Sequence, residues 1–284
     1  ILFILLTLTR LREAVVNTIP LSLKLGISGG IGLFIAFIGL QGAGIIVKND
    51  AVLVGLTSFR GNLPAVLALC GLLLMVTLEH YRVRGGILLG ILAVTLADIP
   101  LGVAKMPQGV FSLPPSLGPV FLKMDFSQTA TSGFWVILFT FFFVDFFDTV
   151  GTLVGVTNRA GMLDAQGRLP RAREALLADA IGTTVGAVLG TSTVTSYIES
   201  ASGVEQGGRT GLAAFVTAVL FLGALFFSPL VSVVPAFATA PALVLVGIFM
   251  MMSLKDLDFG DWTDTVPACL AIFVMPFSYS IAHG

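Results

Sequence analysis

Long blocks of apolar residues, separated by short polar stretches, run through the whole chain. Several blocks reach the roughly 20 residues that a helix needs to cross about 30 Å of hydrocarbon. Their apolar positions are nearly continuous and do not follow the spacing of a helix with one wet face, which is typical of membrane-spanning helices. The pattern predicts eight such segments, at residues 18–46, 63–80, 85–103, 133–157, 174–190, 210–228, 235–253 and 264–282.

One stretch between two apolar segments breaks this pattern. Residues 191–208, with the sequence TSTVTSYIESASGVEQGG, are too polar for an ordinary membrane helix. The β-branched and hydroxyl residues of its first half favour an extended strand, and its second half is able to form a short helix. Non-helical backbone persists at membrane depth only where protein or a polar cavity satisfies its amide groups. A discontinuous strand–helix segment therefore predicts a binding site of the kind that secondary transporters use.

The basic residues indicate an orientation if the broken segment also crosses, which gives nine crossings. With the first helix running outward, eleven of the fifteen Lys and Arg residues lie on or near the cytoplasmic side, and Lys48, Arg60, Lys105 and Lys123 lie outside. This asymmetry follows the positive-inside rule. We expect a multi-pass protein of the cell membrane (the plasma or inner membrane), surrounded by the lipid bilayer.

Composition excludes several other classes of protein. Hydrophobic residues make up 56% of the chain and charged residues 11%, against roughly 25% charged residues in soluble domains. The net charge of −1 and the lack of basic runs exclude a nucleic-acid partner. The sequence contains no phosphate-binding loop, nucleophile–base pattern or metal-ligand spacing. We predict a transporter without cofactor or metal, not an enzyme. The ends of the chain predict a fragment of a longer protein.

Two acids interrupt a run of phenylalanines in FTFFFVDFFDTVGTLVGVTNRAG. At 3.6 residues per turn, Asp145, Asp148, Thr149 and Thr152 share one helical face. An acid near the centre of a membrane helix costs about 2.5–3.5 kcal/mol on insertion scales, so two within one turn need polar surroundings or protonation. We expect Asp148 in a substrate site and Asp145 in a supporting role. The alternative is that one of them hydrogen-bonds a neighbouring broken backbone.

Two further acids lie close to the broken segment. Glu199 follows the predicted strand, where its carboxylate is able to face a cavity and to exchange a proton; the alternative is an acid at the membrane interface, as expected for Glu205. Asp179 lies among the small residues of LLADAIGTTVGAVLG and is either a supporting partner of the site or an interfacial acid. The remaining acids fall at predicted membrane edges, where we expect contact with water: Asp98, Asp256, Asp258, Asp261 and Asp264.

These stretches resemble a known family, the nucleobase–cation symporters, in the azaguanine-type branch of purine permeases, which is related to xanthine and uracil permeases. The matching sequences cover nearly the whole chain and include VDFFDTVGTLVGVTNRAGMLD and LLADAIGTTVGAVLGTSTVTSYIESASGVEQGGRTGL. On this resemblance the fold has fourteen segments in two inverted halves of seven, divided into a core and a gate domain. The chain then corresponds to segments five to thirteen, without the first four and the last.

The resemblance also implies domains and residue roles. It implies gate helices at residues 18–103, core segments at 133–228 and further gate helices at 230–284. Asp148 and Glu199 would hold the base, and Thr152 stands where the uracil branch has a histidine, so proton handling shifts to carboxylates, with Glu199 supported by Asp145 and Asp179. The backbone of the turn from Thr195 to Ser200 would pair with acceptors of the base. That turn comprises Ser196, Tyr197, Ile198 and their neighbours.

The implied function is proton symport of adenine, guanine or hypoxanthine by alternating access, in a family whose members form dimers. Sodium coupling, a xanthine or uracil substrate, and an inorganic anion on the same fold stay open as alternatives. An anion carrier should place positive charge at its site, and the sequence shows no intramembrane Arg or Lys beside the acids. An ion channel would require a continuous polar-lined pore.

Overall fold

The chain is mostly helical. The computed structural model describes residues 2–9, 18–83, 85–102, 109–125, 127, 129, 131–164, 169, 171–197 and 199–280. Its elements are α1 Leu2–Leu8, α2 Leu21–Gly42, β1 Ile46–Asn49, β2 Leu53–Leu56, α3 Leu63–His80, α4 Gly86–Leu101, α5 Ser132–Arg159, α6 Ala172–Leu189, α7 Ser200–Glu205, α8 Gly211–Ala224, α9 Ser228–Val231, α10 Ala236–Met251, a 3-10 turn Met252–Asp256 and α11 Trp262–Ser278.

Each of the eight predicted apolar segments contains one long helix. Helix α3 begins and ends at the predicted residues, and the other helix ends differ by a few positions. Among the described residues, three helical stretches are long and apolar enough to cross a membrane: α2, α3 and Ala236–Asp256. Helices α4, α8 and α11 are apolar but shorter. The prediction of a mostly helical chain with several apolar helices is confirmed, and the inverted-repeat arrangement stays a prediction.

Capping side chains explain where two of these helices begin. The Asn62 side chain accepts a hydrogen bond from the Ala65 amide, and a proline occupies the first turn of α3. The Asp261 carboxylate accepts hydrogen bonds from the Thr263 hydroxyl at 2.7 Å and the Thr263 amide at 2.8 Å, at the start of α11. These donors hold the pKa of Asp261 below its usual value because they stabilise the charged form.

Three features differ from the sequence prediction. Helix α1 was not predicted. It packs against α6, and its Phe3 ring also stacks on Phe142 of α5 at 4.9 Å. A short antiparallel hairpin joins β1 and β2, with Ile46 opposite Leu56, so the chain is not entirely helical. In the broken segment, α7 confirms the helical half, whereas residues 191–197 form no paired strand in the described structure. A strand needs a hydrogen-bonded neighbour, and sequence alone does not supply one.

The chain divides into two compact units, and each is described by itself. The first comprises residues 1–31, 116–201 and 250–284. Its apolar core lies between α5 and α6, where Phe146, Val150, Val154 and Leu176 are buried together. The first half of α2 also belongs to this unit and packs closely on α11, since a Cβ placed on Gly26 would lie 2.7 Å from the Cα of Ala268.

The second unit comprises residues 32–115 and 202–249 and is built around the pair α3 and α4. Glycines bring these two helices together, because a Cβ on Gly71 would lie 2.5 Å from Val94 Cγ2 and a Cβ on Gly90 would collide with Met75. Small residues at helix contacts allow this close approach in a membrane. The predicted division of the chain into core and gate domains stays a prediction.

Candidate functional site

The polar stripe of α5 lies on the buried side of that helix. Thr149 and Thr152 are 0% and 1% exposed, and Asp145 is 5% exposed. Asp148 is half-buried. The stripe follows from helical spacing, because positions three and four apart share a face. Polar groups at this depth are stable only where other polar groups satisfy them.

Asp179 of α6 provides one of these partners. It is 7% exposed, and Thr149 Oγ1 donates a hydrogen bond of 3.1 Å to its Oδ1 across the two helices. Helix α6 ends soon afterwards at Gly190, whose φ of +81° is the left-handed conformation that favours glycine at a helix C-terminus. The chain then turns back along α6 as the 191–197 segment. Asp179 therefore lies beside both α5 and the returning chain.

The small residues of α6 provide the surface on which the 191–197 segment lies. A Cβ on Gly186 would lie 2.8 Å from Thr191 Oγ1 and 2.9 Å from Val194 Cγ2, so only glycine leaves room there. Thr183 adds two hydrogen bonds, because its hydroxyl donates to the Val194 carbonyl at 2.9 Å and accepts from the Val194 amide at 3.3 Å. The Thr183 side chain thus makes the two hydrogen bonds to the Val194 backbone that a neighbouring β-strand would otherwise make.

A cavity of 340 Å³ lies where these elements meet. It is lined by Leu153 of α5, by Ala175, Ala178, Asp179 and Gly182 of α6, and by Val194, Thr195 and Ser196. Small-molecule sites typically measure roughly 300–1,000 Å³ and combine apolar walls with a few polar groups. Within the described residues, the amide groups of Thr195 and Ser196 have no hydrogen-bond acceptor. The lining of the cavity therefore includes one acid, Asp179, and two residues, Thr195 and Ser196, whose amide groups are not used within the described structure.

The structure brings some of the predicted site residues together and separates others. Asp179, predicted in a supporting role or at the interface, and Ser196 both line the cavity. Asp148, Thr152 and Asp145 belong to the same stripe of α5 but do not line it. Glu199 and Tyr197 are exposed, the latter at 63%. Ile198 lies outside the described residues. The roles assigned to these side chains stay predictions.

Two buried charged groups were not anticipated. Asp98 is 0% exposed on α4, and neither carboxyl oxygen has a hydrogen-bond partner in the described structure; its predicted position at a wet helix end is wrong because it lies on the packed face with Val94 and Thr95. Lys24 is 2% exposed in the first turn of α2. A buried cation thus exists in the first unit, although Lys24 does not line the cavity.

Sequence reasoning also missed the contacts that form the cavity. Thr149 was recognised as part of the stripe, but its partner lies 30 residues away on α6. Thr183 carried no signal beyond its position four residues after Asp179, which places both on one face of α6. Such a repeated polar position within an apolar helix is the pattern that could have indicated it.

Comparison with known proteins identifies the family. A family model described as a permease family, Xan_ur_permease, matches residues 1–284. A putative permease of Methanocaldococcus jannaschii is 50% identical over 100% of the chain, a guanine/hypoxanthine permease of Bacillus subtilis 44% over 100%, and an adenine permease of Escherichia coli 42% over 99%. The chain spans 65%, 64% and 63% of these relatives. It therefore belongs to this permease family, whose members are membrane transporters and not enzymes.

Proposed function

We propose that the protein containing this chain transports purine nucleobases across the cell membrane. The observation that carries this proposal is the 340 Å³ cavity, whose lining includes the buried acid Asp179 and the residues Thr195 and Ser196 of the broken segment. The names of two similar proteins, a guanine/hypoxanthine permease and an adenine permease, support the same substrate class. The chain is 44% and 42% identical to them over nearly its whole length.

The chemistry of a purine base suits these groups. A purine carries ring N–H groups and, in adenine and guanine, an amino group, and carboxylates accept hydrogen bonds from such donors with strong, charge-assisted geometry. Its ring nitrogens and carbonyl oxygen accept from backbone amides such as those of Thr195 and Ser196. The apolar side chains Leu153 and Val194 pack against the flat faces of the ring. One small site thus recognises both edges of the base.

The acids beside the cavity provide a mechanism of energy coupling. The sequence predicts that Asp148 contacts the base, that Glu199 exchanges the coupling proton and that Asp145 and Asp179 support them. In this structure neither Asp148 nor Glu199 lines the cavity, and the acid in its lining is Asp179. Protonation of a carboxylate removes a charge from the membrane interior, which lowers the cost of moving the loaded site. The core segments then move against the gate helices in alternating access, in a plasma or inner membrane and, in this proposal, within a homodimer.

Xanthine, uracil and an inorganic anion are the alternative substrates. Xanthine and uracil offer similar N–H donors, so a competition assay must separate them from adenine, guanine and hypoxanthine. An inorganic anion is the weaker alternative, because the cavity presents a carboxylate and the buried cation, Lys24, is not among its lining residues. The polar groups of the cavity favour a ligand that donates hydrogen bonds.

Uptake of radiolabelled bases by the full-length protein tests the proposal. Cells without their own purine permeases should take up adenine, guanine or hypoxanthine when they express the wild type. Asp148→Asn and Glu199→Gln should each reduce uptake to background, because each removes a charge and an acceptor. The matched control is Glu205→Gln, an exposed acid of the same broken segment, which should retain uptake.

The same assay determines the coupling ion. A protonophore should abolish concentrative uptake, whereas replacement of sodium by choline should leave it unchanged. Unchanged uptake in both Asp148→Asn and Glu199→Gln would exclude the proposed roles of these residues. Absence of purine uptake by a correctly inserted wild type would exclude the proposed substrate.

A further inference from the structure

The connection between α4 and α5 contains a turn that lies against the end of α6, and we call it the 117–123 turn. The Val120 and Phe121 amides donate to the Leu117 carbonyl at 3.0 and 2.9 Å, and the Lys123 amide donates to the Val120 carbonyl at 3.2 Å. The turn and α6 both belong to the first unit. These bonds give the turn a backbone geometry of its own.

The Leu122 amide of this turn satisfies a carbonyl at the end of α6. The last four carbonyl groups of a helix have no amide partner within the helix. In α6, two of them accept from Gly190 and Thr191, which directly follow the helix, at 3.3 and 2.9 Å. The Val188 carbonyl accepts instead from the Leu122 amide at 2.9 Å. A distant part of the chain thus completes the hydrogen bonding of this helix end.

Val120 packs on the glycine that follows α6. A Cβ on Gly190 would lie 2.6 Å from Val120 Cβ and 2.9 Å from the Val120 carbonyl oxygen, so only glycine leaves room for the turn. Gly190 leads directly into Thr191, the first residue of the 191–197 segment. The 117–123 turn therefore contacts the chain at the point where it leaves the helix for the cavity.

The backbone conformation of Leu122 indicates that this contact is specified by the fold. Its φ of +56° lies in the left-handed region, which is unfavourable for a residue with a Cβ. Its side chain is 55% exposed, so burial of that side chain does not explain the conformation. Strained backbone persists where surrounding contacts determine it. The contact that the structure shows for the Leu122 backbone is its bond to Val188.

The end of α6 determines where part of the cavity lining lies. A Cβ on Gly186 would lie 2.8 Å from Thr191 Oγ1 and 2.9 Å from Val194 Cγ2, so the 191–197 segment packs directly on this helix end. Thr195 and Ser196 follow in the same segment and line the cavity. The segment forms no paired strand in the described structure. A shift of the helix end therefore passes along it to Thr195 and Ser196.

We propose that the 117–123 turn positions the purine site. By holding the end of α6 through Leu122 and Val120, the turn fixes the start of the 191–197 segment and with it Thr195 and Ser196. This inference rests on the proposed function. Leu122 and Val120 are positioning residues, since neither lines the cavity. A binding site needs such supporting contacts, because its polar groups must be held within about 0.5 Å of the productive geometry.

The same connection has a second anchor, which provides a matched control. In the second unit, the Ser112 amide donates to the Phe226 carbonyl at 2.9 Å, and the rings of Phe111 and Phe226 stack with centroids 5.7 Å apart. This anchor uses the same type of backbone bond, but none of its residues lines the cavity. Loss of the Ser112 bond should therefore leave the purine site unchanged.

A series of substitutions at Leu122 tests the inference. Leu122→Gly keeps the amide and suits a positive φ, so purine affinity should be equal to or higher than that of the wild type. Leu122→Pro has no amide and cannot adopt this φ, so affinity should fall about tenfold, the equivalent of one lost hydrogen bond. Leu122→Val keeps the amide but disfavours positive φ, so its affinity should lie between those of the wild type and the proline variant. Binding of labelled adenine, guanine or hypoxanthine to purified full-length protein measures the series.

The control and a second readout separate positioning from a general loss of stability. Ser112→Pro removes the equivalent amide from the anchor in the second unit and should retain wild-type affinity. Hydrogen–deuterium exchange without purine should rise in Leu122→Pro within residues 183–197 and stay unchanged in the α3–α4 pair, because a positioning contact acts locally. A general loss of stability would raise exchange throughout the chain.

The possible outcomes distinguish this inference from the proposed function. Wild-type affinity in both Leu122→Val and Leu122→Pro would overturn the inference, and so would an equal loss of affinity in Ser112→Pro. If the proline variant does not fold, the comparison of Leu122→Gly and Leu122→Val with the wild type decides at the same position. Absence of purine binding by a folded wild type, together with a local rise of exchange in Leu122→Pro, would contradict the proposed function while confirming that the turn holds the 191–197 segment.

Discussion

The pair α3–α4 and the pair α5–α6 use small residues in different ways. In α3–α4, the glycine faces are filled by side chains of the partner helix, with Val94 on Gly71 and Met75 on Gly90. In α6, the glycine face is covered by the non-helical 191–197 segment, with the Val194 side chain against Gly182 and Gly186 and the Ser192 carbonyl oxygen 3.3 Å from a Cβ on Gly186. The first arrangement gives a packed contact, and the second gives a 340 Å³ cavity whose lining includes Thr195 and Ser196 of the non-helical segment.

The difference shows that close helix approach does not by itself create a site. A partner helix fills the glycine groove with its side chains, and its own backbone is already hydrogen-bonded within the helix. A backbone segment brings N–H and C=O groups that must be satisfied, so it requires polar side chains such as Thr183 and leaves donors for a ligand. Both helix pairs have a face of small residues, so that face does not distinguish a purely structural contact from a binding site. The segment that covers the face makes the difference.

The largest expected effect is the loss of the cavity carboxylate. A hydrogen bond to a charged group contributes roughly 1.5–3 kcal/mol, so Asp179→Ala should weaken purine binding by about 10- to 100-fold. Binding of labelled base to purified full-length protein measures this. Glu174→Ala, an exposed acid five residues earlier on α6, is the matched control and should retain wild-type affinity. Unchanged binding in Asp179→Ala would remove Asp179 from the site.

Substitution of one glycine in each pair should separate affinity from stability. In Gly186→Ala the new methyl group displaces Thr191 and Val194, and overpacking of about 1–3 kcal/mol should weaken binding by about fivefold or more. In Gly71→Ala the new methyl group meets Val94, so the melting temperature should fall while affinity is unchanged. Binding isotherms and thermal unfolding in detergent measure both quantities. Equal loss of affinity in Gly186→Ala and Gly71→Ala would contradict the assignment of the site to the α5–α6 pair.

Much of the helical framework could be predicted from the sequence. Apolar runs are local, and the run at residues 63–80 placed α3 at its observed ends. The strands β1 and β2 could not be placed, because each has four residues and β1 continues the apolar run of α2. Helix α1 has seven residues, too few for a spanning segment, and its position depends on contacts with α6 and α5 that no local pattern reveals.

The sequence predicted which segments form the site but not which side chains in them contact one another. The broken segment and the acids Asp148 and Asp179 were recognised because polar residues are costly in apolar helices. The bond between Thr149 and Asp179 was not, because nothing local to α5 indicates which helix faces it. Asp98 is a second example. Its position near the end of an apolar segment predicted contact with water, but in the structure it lies on the buried face of α4.

Asp98 tests whether an acid in the scaffold behaves differently from an acid in the site. An unsatisfied buried polar group costs about 1–3 kcal/mol, so Asp98→Ala should raise the melting temperature of the purified protein and leave purine uptake unchanged. Asp98→Asn keeps a polar group there and should give little gain. Loss of uptake in a folded Asp98→Ala variant would instead show that the α3–α4 pair takes part in transport.

The smallest effect concerns two threonines, one in each helix pair. Thr149 donates to Asp179 at 3.1 Å, whereas Thr95 donates at 2.8 Å to the Ile91 carbonyl of its own helix. Thr149→Val removes a donor from a buried carboxylate, and a loss of about 0.5–1.5 kcal/mol should weaken purine binding by about two- to tenfold. Thr95→Val has the same change of shape, but the Ile91 carbonyl keeps its helical amide donor, so affinity should not change. If both variants bound purine equally well, Thr149 would be a packing residue like Thr95, and the polar contact between α5 and α6 would have no part in holding the ligand.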